Sequence, residues 1–288
     1  MIPNKPCRKA AMLGLSLAAL VATPASAHHA WGTYAWEFDG VAVDIPVYDN
    51  TTDEWRPYVQ EAVDYWNASD VISMPMTFGN NSSCSFMTHT IQVCNADFGA
   101  NGWLGLASIA LSNGHIIAAS TKLNDHYFSE AYNSYSWRQL VTCQELGHDL
   151  GLAHQDEDFA TDATQSCMEY TSRPADNEHP DWHDYEQLAL IYVAGGTDGG
   201  GGTTDGGTDG GGKGKGGGKG SGGGGKGGGP KSRVNLPAVG NTPESWGRPV
   251  DYLPNGRPHV FVKESAGMKF VTHVTYAPDE GGDHDHDH

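Results

Sequence analysis

Between Gly195 and Gly229 the chain offers almost nothing to bury. Of its 39 glycines, 23 fall in this stretch, broken only by Thr, Asp, Lys and one Ser. Thr-Asp-Gly repeats fill the first half, and Lys213, Lys215, Lys219 and Lys226 mark the second. A calcium-binding nonapeptide roll needs an apolar residue after each aspartate to fill its core, and none is present. The tract 195–230 therefore reads as a flexible linker, with a root-mean-square span on the order of 30 Å. A core cannot be built from such a stretch. What can fold lies on either side of it: 28–194, long enough for one domain, and 231–288, too short to be expected as an independent one.

Charge narrows the function classes. The whole chain carries a formal −18, but residues 28–194 hold 24 acidic side chains against only Arg56, Lys122, Arg138 and Arg173. A surface so short of cations has no electrostatic footprint for phosphate backbones or anionic lipid, which excludes nucleic acid as an expected partner.

The amino terminus reads as an export signal over 1–27. Lys5, Arg8 and Lys9 precede an apolar run from Ala10 to Val21, and Ala25-Ser26-Ala27 gives the small-x-small pattern of a cleavage site. A run of about 12 residues is too short to span a hydrocarbon core, so integral membrane association is not expected. Cleavage would remove Cys7 and leave Cys84, Cys94, Cys143 and Cys167, an even number in an oxidising compartment, with three possible connectivities. The expected location is secreted, extracellular or periplasmic.

Periodicity supplies the elements. Gly40 to Tyr48 alternates as a strand. Trp55, Tyr58, Val59, Ala62, Val63 and Trp66 fall at helical spacing, with Thr52 and Asp53 as candidate N-caps. Met74–Phe78, Met87–Val93 and Gly114–Thr121 read as strands. Trp137–Leu150 and Asp184–Val193 read as helices, and Trp103 to Leu106 as core. After the linker, HVFVKES and KFVTHVTYA form a hairpin pattern around Ala266-Gly267. The fold class expected is α+β, a mixed twisted sheet with enclosing helices, followed by a small β-rich tail. The terminal Asp283-His284-Asp285-His286-Asp287-His288 tract reads as a weak metal-binding tail.

The stretch VTCQELGHDLGLAHQD carries the chemistry. Gln144 and His148 stand four apart and share a helix face, with Glu145 beside them. Gly151 lets the helix stop, and His154 can swing back as a third ligand. Three protein ligands with an open fourth position are what zinc hydrolysis needs, with Glu145 accepting a proton from the bound water and passing it to the leaving amine. A lone QExxH would be a surface glutamate and a satisfied histidine. The Gly and second His at fixed spacing argue against coincidence.

In these residues the chain resembles the metzincin metallopeptidases, matrixin-like bacterial members in particular. QELGHDLGLAH is similar to their HExxHxxGxxH zinc motif. Ser166-Cys167-Met168-Glu169-Tyr170 resembles their methionine turn. The likeness covers 30–193 by layout and 137–193 by motif. It implies a secreted zinc metalloendopeptidase acting on protein or peptide substrates, with Gln144, His148 and His154 as metal ligands. Glu145 and Tyr170 would be the catalytic pair, Tyr170 approaching the oxyanion, and Met168 would support the site from below. One departure stands out: the family's first histidine is Gln144 here, a weaker zinc donor, although gametolysin-like metallopeptidases also carry glutamine there.

The likeness also favours Cys84–Cys94 and Cys143–Cys167 as disulfides, the first closing a short loop and the second joining the active-site helix to the turn. It implies an edge strand near 114–121. Asp156-Glu157-Asp158 with Asp162 is a candidate Ca²⁺ set and equally a solvated loop. No latency cysteine separates Ala27 from the domain, so latency would have to come from elsewhere, the tail included. Two rival readings accompany this one. The first is a non-catalytic binding module of the same fold with a weakened metal site. In the second, 231–288 acts through surface attachment or self-contact.

Overall fold

A computed structural model of the chain describes residues 29–38, 42–129, 132–159, 161, 163–192 and 233–278. The readings made for 1–27, for the glycine tract 195–230 and for the terminal Asp/His tract lie outside these residues. In chain order the elements are β1 (Ala35–Trp36), β2 (Val43–Asp44), β3 (Val47–Asp49), α1 (Arg56–Trp66), β4 (Ile72–Ser73) and β5 (Met76–Phe78). Then come β6 (Ile91–Ala96), β7 (Trp103–Ser112), β8 (His115–Asn124), α2 (Asp125–Phe128), α3 (Tyr135–Asp149) and α4 (Trp182–Tyr192). Last are α5 (Pro243–Trp246), β9 (Arg248–Tyr252), β10 (Pro258–Ser265) and β11 (Met268–Tyr276). No described helix is long and apolar enough to cross a membrane.

The main sheet runs β5-β3-β6-β8-β7-β11-β10-β9, with β1 also pairing with β8. It is mixed, as expected: β5, β3, β6 and β8 are mutually parallel, and the pairings from β8 through β7, β11, β10 and β9 are antiparallel. Helix α3 packs across one face with α1 beside it. The apolar stripe Val59, Ala62, Val63 and Trp66 is buried, and the Trp66 indole donates to the Cys143 carbonyl at 3.0 Å.

Several sequence expectations shift. Helix α1 has Trp55 at its N-cap and no side-chain cap. Thr52 contributes its carbonyl to the preceding turn instead, and Asp53 pairs with Arg56. The strand expected over 40–48 is split around Pro46, whose missing N–H cannot join a ladder. The edge strand expected at 114–121 is a correction: β8 lies between β6 and β7, and among the described strands of 28–194 the edges are β5 and, beside β8, β7. Periodicity missed β7 because Trp103–Leu111 is buried throughout, so it reads as a continuous apolar run. Asn113 and Gly114, both at positive φ, make the tight turn into β8.

Among residues 233–278, the hairpin around Ala266-Gly267 is present, both turn residues at positive φ. It does not stand apart. Residues 269–276 of β11 pair antiparallel with 103–111 of β7, extending the sheet of the larger domain. A second apolar cluster forms there, in which Trp246, Phe261, Phe270, Val274 and Tyr276 pack against Trp103, Leu106, Ala110 and Ala118. Both disulfides join the favoured partners, Cys84–Cys94 and Cys143–Cys167.

Candidate metal centre

Helix α3 is buried from Arg138 to Asp149, because the sheet lies on one side and α1 and the 166–170 turn on the other. Ser134 caps its start through the Trp137 amide. At its end Gly151, at φ +94°, turns the chain. A Cβ there would lie 2.4 Å from the Tyr34 carbonyl oxygen, so only glycine fits. The turn returns His154 to the helix end, where its Nε2 stands 3.1 Å from that of His148.

At that distance the two nitrogens can share either a proton, as an N–H···N hydrogen bond, or a metal ion. The His148 Nδ1 bonds the Leu152 carbonyl at 2.8 Å. A carbonyl accepts only, so the proton sits on Nδ1 and the Nε2 lone pair is free. Burial drives His148 down to about 3 and His154 well below its ordinary value, so both rings are neutral. Donors held at about 2.0–2.1 Å around a tetrahedral ion stand roughly 3.3 Å apart. The pair therefore fits zinc.

Gln144 lies between the 166–170 turn and β11. Its amide nitrogen donates to the Cys167 carbonyl at 2.8 Å and the Glu169 carbonyl at 3.2 Å, fixing its oxygen the other way. That oxygen accepts from the Thr275 hydroxyl at 2.8 Å. The third histidine beside His148 and His154 is His273 of β11. One nitrogen from each of the three lies within 4.8 Å of the others, and its ring stacks on His148 at 3.7 Å. Sequence reading passed over His273. Its only signal was a polar residue inside the apolar run KFVTHVTYA, and nothing there says what it faces.

Glu145, three residues before His148 on the same helix, is fully buried. Neither carboxylate oxygen makes a hydrogen bond of ordinary geometry. Burial pushes it up to about 8, and the Thr275 hydroxyl and Ala107 backbone offset only part of that rise. It lies against β7, where a Cβ on Gly105 would come 2.4 Å from its Oε1. Met168 is buried under the helix, its sulfur 2.4 Å from where a Gly147 Cβ would be. The turn is held from outside: Asp184 accepts from the Ser166 hydroxyl at 2.6 Å and pairs with His29 at 3.0 Å. Glu169 accepts from the amides of Ala163, Thr164 and Gln165 and from Asn177.

Tyr170 contacts the His154 ring at 4.1 Å, but its hydroxyl donates to the Val274 carbonyl at 2.9 Å. In the acidic loop, Asp156 accepts from Thr161 and the Asp158 amide. Glu157 turns toward His154 and His259, 3.6 Å from each, and burial raises it to about 7. Asp162 lies outside the described residues.

No family model matches the chain, and no curated protein matches it. Among solved structures, one titled as the structure of myroilysin is 15% identical, covering 57% of this chain and 97% of that one at a TM-score of 0.34. The high choriolytic enzyme 1 of Oryzias latipes (medaka fish), described as a hatching enzyme zinc-protease, is 12% identical, covering 55% and 94% at a TM-score of 0.32. A crystal structure of myroilysin is 15% identical, covering 62% and 99% at a TM-score of 0.32.

Proposed function

We propose that the chain is a zinc-dependent endopeptidase of metzincin type, exported to an oxidising compartment and acting on protein or peptide substrates. The observation that carries this reading is the pair of opposed, neutral imidazoles, His148 and His154, on a buried helix end beside an uncompensated Glu145. His148 and His154 would hold zinc, with the Gln144 amide oxygen available as a third donor once Thr275 releases it. Bound zinc would supply Lewis acidity and bring a coordinated water's pKa near neutrality.

The chain's own groups supply the rest. Glu145, on the same helix as His148 and beside the histidine pair, is placed to accept a proton at its carboxylate and return it to a leaving amine. Leu152 and Met168 keep the imidazole and the helix end fixed. The Tyr170 hydroxyl, freed from Val274, would point into the same space to donate to a developing oxyanion. The two disulfides agree with export. Asp156, Asp158 and Asp162 stay the acidic-loop candidates for structural Ca²⁺, with Glu157 turned toward the histidines.

The burial of every one of these groups favours a second reading, a metzincin-fold metal-binding module without catalysis. Zinc content of the purified full chain and cleavage of a fluorogenic peptide library separate the two. Chelator-sensitive cleavage that disappears in Glu145→Ala is the expected result. Equal traces from wild type and Glu145→Ala, at any zinc loading, would sink the peptidase reading.

A further inference from the structure

We propose that His273 is itself a zinc ligand, and that β11 closes the cleft by supplying the third imidazole in place of Gln144. The inference rests on the peptidase reading above and adds its regulation: a zinc-loaded state of reduced but measurable activity, held by the chain's own C-terminal strand.

Register and side-chain direction carry it. Residues of β11 that pair across to β7 share a face with their partners. Val271, His273 and Thr275 stand opposite Ile109, Ala107 and Gly105. Gly105 is the residue against which Glu145 rests, so this face of β11 looks into the site. The small side chains of Ala107 and Gly105 leave the room that the imidazole and the threonine fill.

One strand then engages every group a peptidase would use. Thr275 occupies the Gln144 amide oxygen, and the Val274 carbonyl occupies the Tyr170 hydroxyl. Thr275 also neighbours Glu145, and His273 completes the histidine cluster. Its Nδ1 is buried without a protein partner, a state that costs free energy unless something else takes the lone pair or proton. Removing the strand would exchange donors: the cluster loses the His273 imidazole and regains the Gln144 oxygen. An extended peptide adding to β7 needs the same backbone edge that β11 now fills, so substrate and β11 exclude each other.

A second link lies on β10. His259 is buried, 3.6 Å from the Glu157 carboxylate, and Glu157 is the same distance from the outer nitrogen of His154. The carboxylate thus stands between a histidine of 28–194 and one of the hairpin, beyond hydrogen-bond length from either ring.

The test uses the full chain loaded with zinc. X-ray absorption on the unmodified protein should count three imidazoles, and this count stands whether or not any variant folds. A competing chromophoric chelator should show His273→Ala weakening zinc on the order of 100-fold. Peptide cleavage at saturating zinc should rise on the order of tenfold as the open state gains population. Weaker zinc with faster cleavage is a signature that a merely structural role for His273 would not give. Two imidazoles in the wild type, or unchanged zinc affinity in His273→Ala, overturns the inference while leaving the peptidase reading to its Glu145→Ala control. Cleavage absent from both His273→Ala and His273→Ala/Glu145→Ala, with zinc bound, overturns the peptidase reading instead.

Discussion

The two faces of β11 do different work. The face toward α3 packs Val271 into the main apolar core and sets His273 and Thr275 at a polar, titratable site. The opposite face presents Phe270, Val274 and Tyr276 to a cluster with Trp103, Leu106, Trp246 and Phe261. Further anchors lie on that side: the Lys122 ammonium donates to the Val239 carbonyl and to Asn241, and the Trp103 indole to the Asn241 carbonyl at 3.2 Å. A shared carbonyl bond and a stacked imidazole would not hold a strand in place. Burial of aromatic surface at about 25 cal/mol per Å² does. Aromatic burial therefore concentrates on the outer face and the polar cluster on the inner.

The largest effect should come from breaking the outer face. Trp246 is buried against Phe261 at 5.1 Å, and Trp246→Ala should cost about 3–5 kcal/mol. Denaturant unfolding would give the cost, and hydrogen exchange should show the β11 amides opening first. Full protection of β11 in that variant would show that the inner face alone holds the strand.

On the inner face, Gly105→Ala places a Cβ 2.4 Å from Glu145 Oε1. About 1–3 kcal/mol of destabilisation follows from the overpacking, with Glu145 displaced and cleavage lost, measurable in the same assays. A variant as stable as wild type and equally active would mean that Glu145 does not use this strand as a wall.

The smallest effect is a pH dependence. Burial lowers Lys122 to about 8 from 10.5, so between these values the unfolded chain binds more protons than the folded one. Stability contributed by this group should then rise with pH from about 8 to 10.5, by about 1 kcal/mol per pH unit, and stay flat below 8. Thermal midpoints across pH 7–10 should lose this rise in Lys122→Met. An identical slope in both proteins would remove Lys122 from the outer anchor.

Much of the local structure was legible in the sequence. Helices α1, α3 and α4 follow from apolar spacing, and the C-terminal hairpin from alternation around Ala266-Gly267. Both cysteine pairings were also favoured in advance. Strand β7 escaped because a strand buried on both faces has no alternation to read. Of the site residues, His148 and His154 come together as their spacing implies. Gln144 and Tyr170 lie beside them with their polar atoms turned to β11, and His273 had no signal strong enough to single it out.

The sequence alone determined that a helix ending in glycine would bring His148 and His154 together, because i,i+4 geometry and a turn are local. Only the tertiary structure decided what fills the open side of the site. Pairing between β7 and β11 joins residues 158 to 173 positions apart, and backbone hydrogen bonds carry no sequence code for such a partner. Register decides which side chain faces inward, and a shift of one residue would have turned His273 away.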